Sequence, residues 1–116
     1  MRRFTVVGAP RTKKNHGWRT KQGFQMPSKA WKRWLETAQV VPAVQTDWMT
    51  LQPVNCRAVF YRDANRGDAV GYYQGLADLL EWYEIVKDDG LIVSWDGSRL
   101  LKDKDNPRVE VELTEV

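Results

Sequence analysis

The residues best suited to chemistry in this chain are aspartates at two places, Asp68 and the pair Asp88-Asp89. Two or three carboxylates brought together hold a hard divalent cation such as Mg²⁺, which prefers oxygen ligands and keeps several waters. Such an ion polarises a phosphodiester and activates water, and one or two of them serve an in-line displacement. The same residues have a plainer reading: Asp68 suits a helix N-cap, and Asp-Asp-Gly is a common turn. His16 sits alone among cations, where it can touch phosphate or lie exposed, and is not assigned as a general base. Cys56 has the apolar neighbours Ala58, Val59 and Phe60 and reads as a buried, reduced thiol with no catalytic role.

For the aspartates to meet, the elements between them must double back. Asp68 caps a helix whose expected buried stripe is Val70, Tyr73, Leu76, Ala77 and Leu80, and residues 87–90 form a turn before a strand at 91–95. A helix and its returning connection bring those two ends toward one another or toward a shared edge. Gly71 and Gly75, four apart, lie on one face of this helix and let another backbone or another subunit come close. Upstream, residues 3–8 alternate as a first strand and residues 11–24 read as a loop with a ragged hairpin. Ser28 caps a helix carrying Trp31, Trp34, Leu35 and Ala38, with Pro42 as its stop. Trp31 and Trp34 are core candidates; Trp18 and Phe24 suit hairpin packing or stacking on unpaired bases. Residues 54–61 alternate as a strand, Asp96-Gly97 suits a turn, 102–107 a polar loop and 108–113 a last strand. The expected fold class is α/β, a small mixed sheet with two helices in the order β, hairpin, α, β, α, β, β, as a single domain over residues 1–116.

Charge is divided unevenly along the chain. Residues 1–35 hold ten Lys or Arg and no Asp or Glu, whereas the remaining 81 hold eight basic and fifteen acidic residues, giving +10 followed by −7. That polarity suits a protein that grips a polyanion with one segment and carries a carboxylate site in the other. The apolar run after Arg3 is too short for a signal-peptide core or a membrane span, so the expected setting is cytoplasmic.

Several of these residues also resemble a known family, the RusA-type Holliday junction resolvases. That family carries Asp-x-Asp-Asn-x-x-Lys-x-x-x-Asp-x-Leu with an Asp-Asp pair ten residues after the third Asp; Asp68, Asp78-Leu79-Leu80 and Asp88-Asp89 fall at those spacings without a gap. Residues 8–15, with Pro10, Arg11, Lys13, Lys14 and Asn15, resemble the family's strand and basic loop. Residues 27–31 resemble its serine-led helix, and residues 106–113 its closing strand. Three positions depart: Val70, Gly71 and Gln74 stand where the family has its second Asp, its Asn and its Lys. Asp78 or Glu81, which share a helical face with Gln74, are candidates for the missing carboxylate.

The resemblance implies a homodimer that hydrolyses phosphodiester bonds at four-way or otherwise branched DNA with Mg²⁺. Two-fold symmetry would present two equivalent sites to two strands. In that reading Asp68 and Asp89, helped by Asp88, hold the metal, and Asp78 joins Asp68 and Asp89 in catalysis. Arg11, Lys13, Lys14, Asn15, Arg19, Lys29 and Lys32 meet the DNA backbone, positioning it without reading bases. Two other readings stay open: a branched-DNA-binding dimer that has lost cleavage, for which Val70 and Gln74 speak, and a basic module that binds protein or RNA.

Overall fold

Three alternating strands make the centre of the sheet. In β1 (Arg2–Val7), β5 (Val54–Arg62) and β8 (Arg108–Glu115), every second residue is apolar and buried: Phe4 and Val6; Cys56, Ala58 and Phe60; Val109, Val111 and Leu113. A period of two puts each set on one face of its strand. β8 runs antiparallel between β1 and β5, with Phe4 opposite Val111 and Cys56 opposite Leu113, so the three sets form one apolar surface. The computed structural model describes residues 1–13, 28–42 and 49–116, together with the backbone of 18–19 and 25–26.

Both helices lie on that surface. α1 (Lys29–Thr37) contributes Trp31, Trp34 and Leu35, and α2 (Ala69–Trp82) contributes Tyr72, Leu76, Leu79 and Leu80 to the same core. The Ser28 side chain accepts a hydrogen bond from the Trp31 amide, the N-cap expected from the sequence. A two-residue ladder pairs β2 (Trp18–Arg19) with β3 (Gln25–Met26) antiparallel, which is the expected hairpin. The opposite sheet face is charged: Arg3 and Arg57 both approach Glu112, at 2.9 and 4.0 Å, and the Arg108 guanidinium lies 3.8 Å from the Tyr61 ring centre. The result is a mixed α/β fold with a six-stranded, mostly antiparallel sheet and two helices; with β4 (Gln39–Val41), β6 (Ile92–Ser94) and β7 (Arg99–Lys102), the order is β4-β1-β8-β5-β6 with β7 also beside β5. Among the described residues, no helix is long and apolar enough to cross a membrane.

Four local details differ from the sequence reading. α1 stops at Thr37 rather than at Pro42, because Ala38 turns extended and Gln39–Val41 becomes β4, pairing with Thr5–Val7 on the outer edge of β1. Asp96-Gly97 does not reverse the chain. β6 (Ile92–Ser94) and β7 (Arg99–Lys102) both run parallel to β5 on one edge, and the turn is a bump between them. Side chains of β5 and the bump fill the interrupted ladder: Asn55 Oδ1 accepts from the Ser94 hydroxyl at 2.6 Å and the Asp96 amide at 2.8 Å, and the Ala58 amide donates to the Ser98 hydroxyl at 2.9 Å.

In α2, Leu76, Ala77 and Leu80 are buried as expected, but the start of the stripe differs. Tyr72 and Leu79 are buried, whereas Val70 is 61% exposed and Tyr73 only half-buried. Finally, the glycine face of α2 is occupied from within the same chain. A Cβ on Gly75 would come within 2.8 Å of the Arg11 carbonyl and 3.2 Å of the Trp31 ring, and the Trp31 indole N–H donates to the Gly75 carbonyl at 3.2 Å. These glycines therefore admit the segment after β1 and the first helix.

Candidate functional site

The chain after α2 is folded back by two buried residues. Ile85 and Val86 are fully inside the core; the Ile85 amide donates to the Leu80 carbonyl at 2.8 Å, and its carbonyl accepts from the Thr50 amide at 2.7 Å. With those two anchored, Lys87 to Gly90 must emerge beside the last turn of α2. There the Asp88 carboxylate caps a single 3-10 turn (Asp89–Leu91) by accepting from the Gly90 amide at 2.9 Å. The Asp89 amide donates to Glu81 Oε1 at 2.9 Å, tying turn to helix.

This arrangement brings carboxylate oxygens of Glu81, Asp88 and Asp89 within 4.8 Å of one another. Three exposed, oxygen-only donors at that separation could hold a metal ion. Lost hydration, a hydrogen bond with Asp88 and the charges of Glu81, Asp78 and Asp88 together raise the Asp89 carboxyl above its ordinary pKa. A cation placed among them would relieve that repulsion, so the residues present fit a hard divalent ion. Each of Glu81 and Asp88 spends one oxygen on a backbone amide.

Beside the cluster opens a groove of about 520 Å³, lined by Lys13, Val70, Tyr73, Gln74, Ala77, Asp78, Asp89, Ile92 and Trp95. Val70, Gln74 and Asp78 follow one another at four-residue steps along one face of α2, which is why they share a wall. Lys13 reaches across to Asp78 at 2.7 Å, with its ammonium 5.3 Å from the Trp31 ring centre.

The expected partnership of Asp68 with Asp88 and Asp89 is not what the fold assembles. Asp68 caps α2, accepting from the Gly71 amide at 2.8 Å. With about 1.5 Å of rise per residue, its Cα lies about 20 Å along the helix from that of Glu81. Its neighbourhood is rich in arginine. Arg11 donates to both oxygens of Asp63, at 2.8 and 3.0 Å, and Arg66 approaches the same carboxylate at 3.1 Å. These bonds, Arg11's foremost, bring the Asp63 carboxyl down to about 2.

Of the expected backbone-contacting residues, the side chains of Arg11, Lys13, Lys29 and Lys32 are described. Lys29 and Lys32 are exposed on α1. Arg11 is committed to Asp63 and Lys13 to Asp78, so neither charge is simply presented outward. Lys14 and Asn15 lie outside the described residues, as do His16, Phe24 and the side chains of Trp18 and Arg19. Burial pushes the Cys56 thiol up to about 12, consistent with an inert core residue.

Sequence reasoning placed Val70 and Tyr73 in the core and did not single out Ile92 or Trp95, yet all four line the groove. The signal was available at Val70, Gln74 and Asp78, whose regular spacing marks one helical face; for Trp95 only the pairing of β6 with β5 reveals the position. In comparison with known proteins, the chain matches no family model and no curated relative.

Proposed function

We propose that this protein is a Mg²⁺-dependent, structure-selective endonuclease that acts on four-way or otherwise branched DNA as a homodimer in the cytoplasm. The observation that carries the reading is the convergence of Glu81, Asp88 and Asp89 at the mouth of a groove bordered by Asp78 and Lys13. The resemblance in the sequence supports it, because the Asp78 and Asp88-Asp89 spacings fall at this one place.

In this reading Asp89, with Asp88 and Glu81, holds the cation, which supplies charge neutralisation and a more acidic bound water. Glu81 takes the part that Val70 cannot. Asp78 keeps Lys13 at the groove, where the ammonium meets the phosphate of an incoming strand. The exposed cations of α1, Lys29 and Lys32, neutralise flanking phosphates, so that selection follows DNA shape.

One observation favours a second reading, a branched-DNA-binding dimer without cleavage: Val70 and Gln74, an alkyl group and a neutral amide, face into the groove where the family pattern has a carboxylate and an ammonium. Incubating the protein with four-way, duplex and single-stranded DNA, with and without Mg²⁺, separates the two. Junction cleavage that needs Mg²⁺ supports the nuclease. Junction binding without cutting selects the second reading, and absence of DNA binding removes both.

A further inference from the structure

The groove beside the carboxylates has a wall built for something flat. Tyr73 and Trp95 stack with ring centres 4.6 Å apart and planes only 6° from parallel. Tyr73 in turn packs on Phe60 at 5.9 Å, and Phe60 is fully buried. The rings thus form a series rooted in the core, with Trp95, partly exposed, at its groove end. A ring held from behind in this way is a preorganised stacking platform, because little rotamer freedom remains to be lost when a ligand arrives.

The rest of the lining is matched to a nucleotide rather than to a simple apolar group. Val70, Ala77 and Ile92 supply further apolar surface, Gln74 an exposed amide with both donors and an acceptor, and Lys13 a cation paired with Asp78, while Asp78 and Asp89 make the acidic end of the lining. An amide that offers donor and acceptor side by side pairs with the edge of a base, most naturally adenine. A volume of about 520 Å³ is of the size that holds a small organic ligand. Seen this way, Val70 and Gln74 are more than losses from a metal site: they replace two charges by surfaces that suit a base.

We propose that this groove seats one unpaired nucleotide of a DNA strand, its base against Trp95 and its edge at Gln74, with Lys13 facing the sugar-phosphate. The assignment rests on the DNA-binding reading above and not on metal or cleavage. A base is available to such a groove only where strands part, so the seat adds recognition of unpaired positions to recognition of backbone shape.

The test uses the full chain in EDTA and an oligonucleotide carrying one 2-aminopurine, whose fluorescence reports stacking. Three forms are titrated: the single strand, the same strand in a duplex, and the free 2-aminopurine nucleotide. The expected result is a fluorescence change with the single strand, little with the duplex, and far weaker binding of the free nucleotide. Trp95→Leu should weaken single-strand binding roughly tenfold and remove the fluorescence change, while Trp95→Phe retains most of it. Gln74→Ala, at an exposed position that cannot unfold the protein, should weaken binding of an adenine-like base several-fold. A signal unaltered in Trp95→Leu and Gln74→Ala overturns the seat, as does equal binding of duplex and single strand. Tight binding of the free nucleotide overturns the strand assignment. Cleavage of junctions with Mg²⁺ by a protein that fails this test would leave the nuclease reading standing, and a stacking signal without any cleavage would do the reverse.

Discussion

The two ends of α2 use the same residue type in opposite ways. At its amino end, Asp63 lies between Arg11 and Arg66, and its carboxyl is held at about 2. At its carboxyl end, Asp89 is crowded by Glu81, Asp88 and Asp78, and its carboxyl is raised. Hydrogen-bonded arginines stabilise the charged form of Asp63, whereas like charges and lost hydration penalise that of Asp89. The first arrangement has spent its electrostatics on holding a loop to the segment after β1. The second has left repulsion unresolved, which an incoming cation can settle. A carboxylate's part in function is therefore set by which charges the fold places beside it.

The largest expected effect is at the crowded end. Asp89→Asn should lower Mg²⁺-dependent cleavage by about 100-fold or more, measured on a four-way junction, because it removes a charged ligand while keeping the shape. The same variant should melt no lower than the parent at neutral pH. Asp89's raised pKa means that folding favours its protonated form, a contribution present below the ordinary carboxylate pKa and lost as pH rises through the raised one. Asn copies that neutral form. Full cleavage by Asp89→Asn would remove the site.

Val70→Asp tests how far the crowded end extends. Because Val70 is 61% exposed and lines the groove, a carboxylate there is hydrated rather than buried, and the fold should tolerate it. Mg²⁺ affinity, measured by calorimetry, should stay close to the parent's, because position 70 lies about 16 Å along α2 from Glu81, and a rise of roughly tenfold would extend the cation site along the groove. Unchanged affinity would confine the cation to Glu81, Asp88 and Asp89.

At the neutralised end the effects are smaller and concern stability. Asp63→Asn should cost about 1 kcal/mol, a modest figure for a partly exposed, charge-assisted bond. The sign follows from the lowered pKa: the stabilisation is present above the unfolded value near 3.8 and disappears as pH falls through about 2. Thermal melts of parent and variant should therefore converge in strong acid. Asp68→Asn is expected to do least, since Asn caps a helix as well as Asp. Its cleavage should match the parent's; a loss comparable to that of Asp89→Asn would join the two ends into one site and break the distinction drawn between them.

Local chemistry made much of this molecule readable in one dimension. The caps at Ser28 and Asp68, the alternation in residues 54–61 and 108–113, the burial of Trp31 and Trp34, and a mixed sheet under two helices all follow from side-chain periodicity and from hydrogen bonds within a turn. Short segments were harder, because Gln39–Val41 and Arg99–Lys102 are strands only by virtue of the edges they meet, β1 and β5. The site lay at the same limit. Gln74, Asp78 and Glu81 could be placed on one helical face from their spacing, but whether Asp68 or Glu81 would stand beside Asp89 depended on where the chain emerges after α2. That was decided by burial of Ile85 and Val86 and their hydrogen bonds to Leu80 and Thr50, contacts that local periodicity does not encode. Spacing along a chain fixes which side chains share a face; only packing against the sheet fixes which two faces meet.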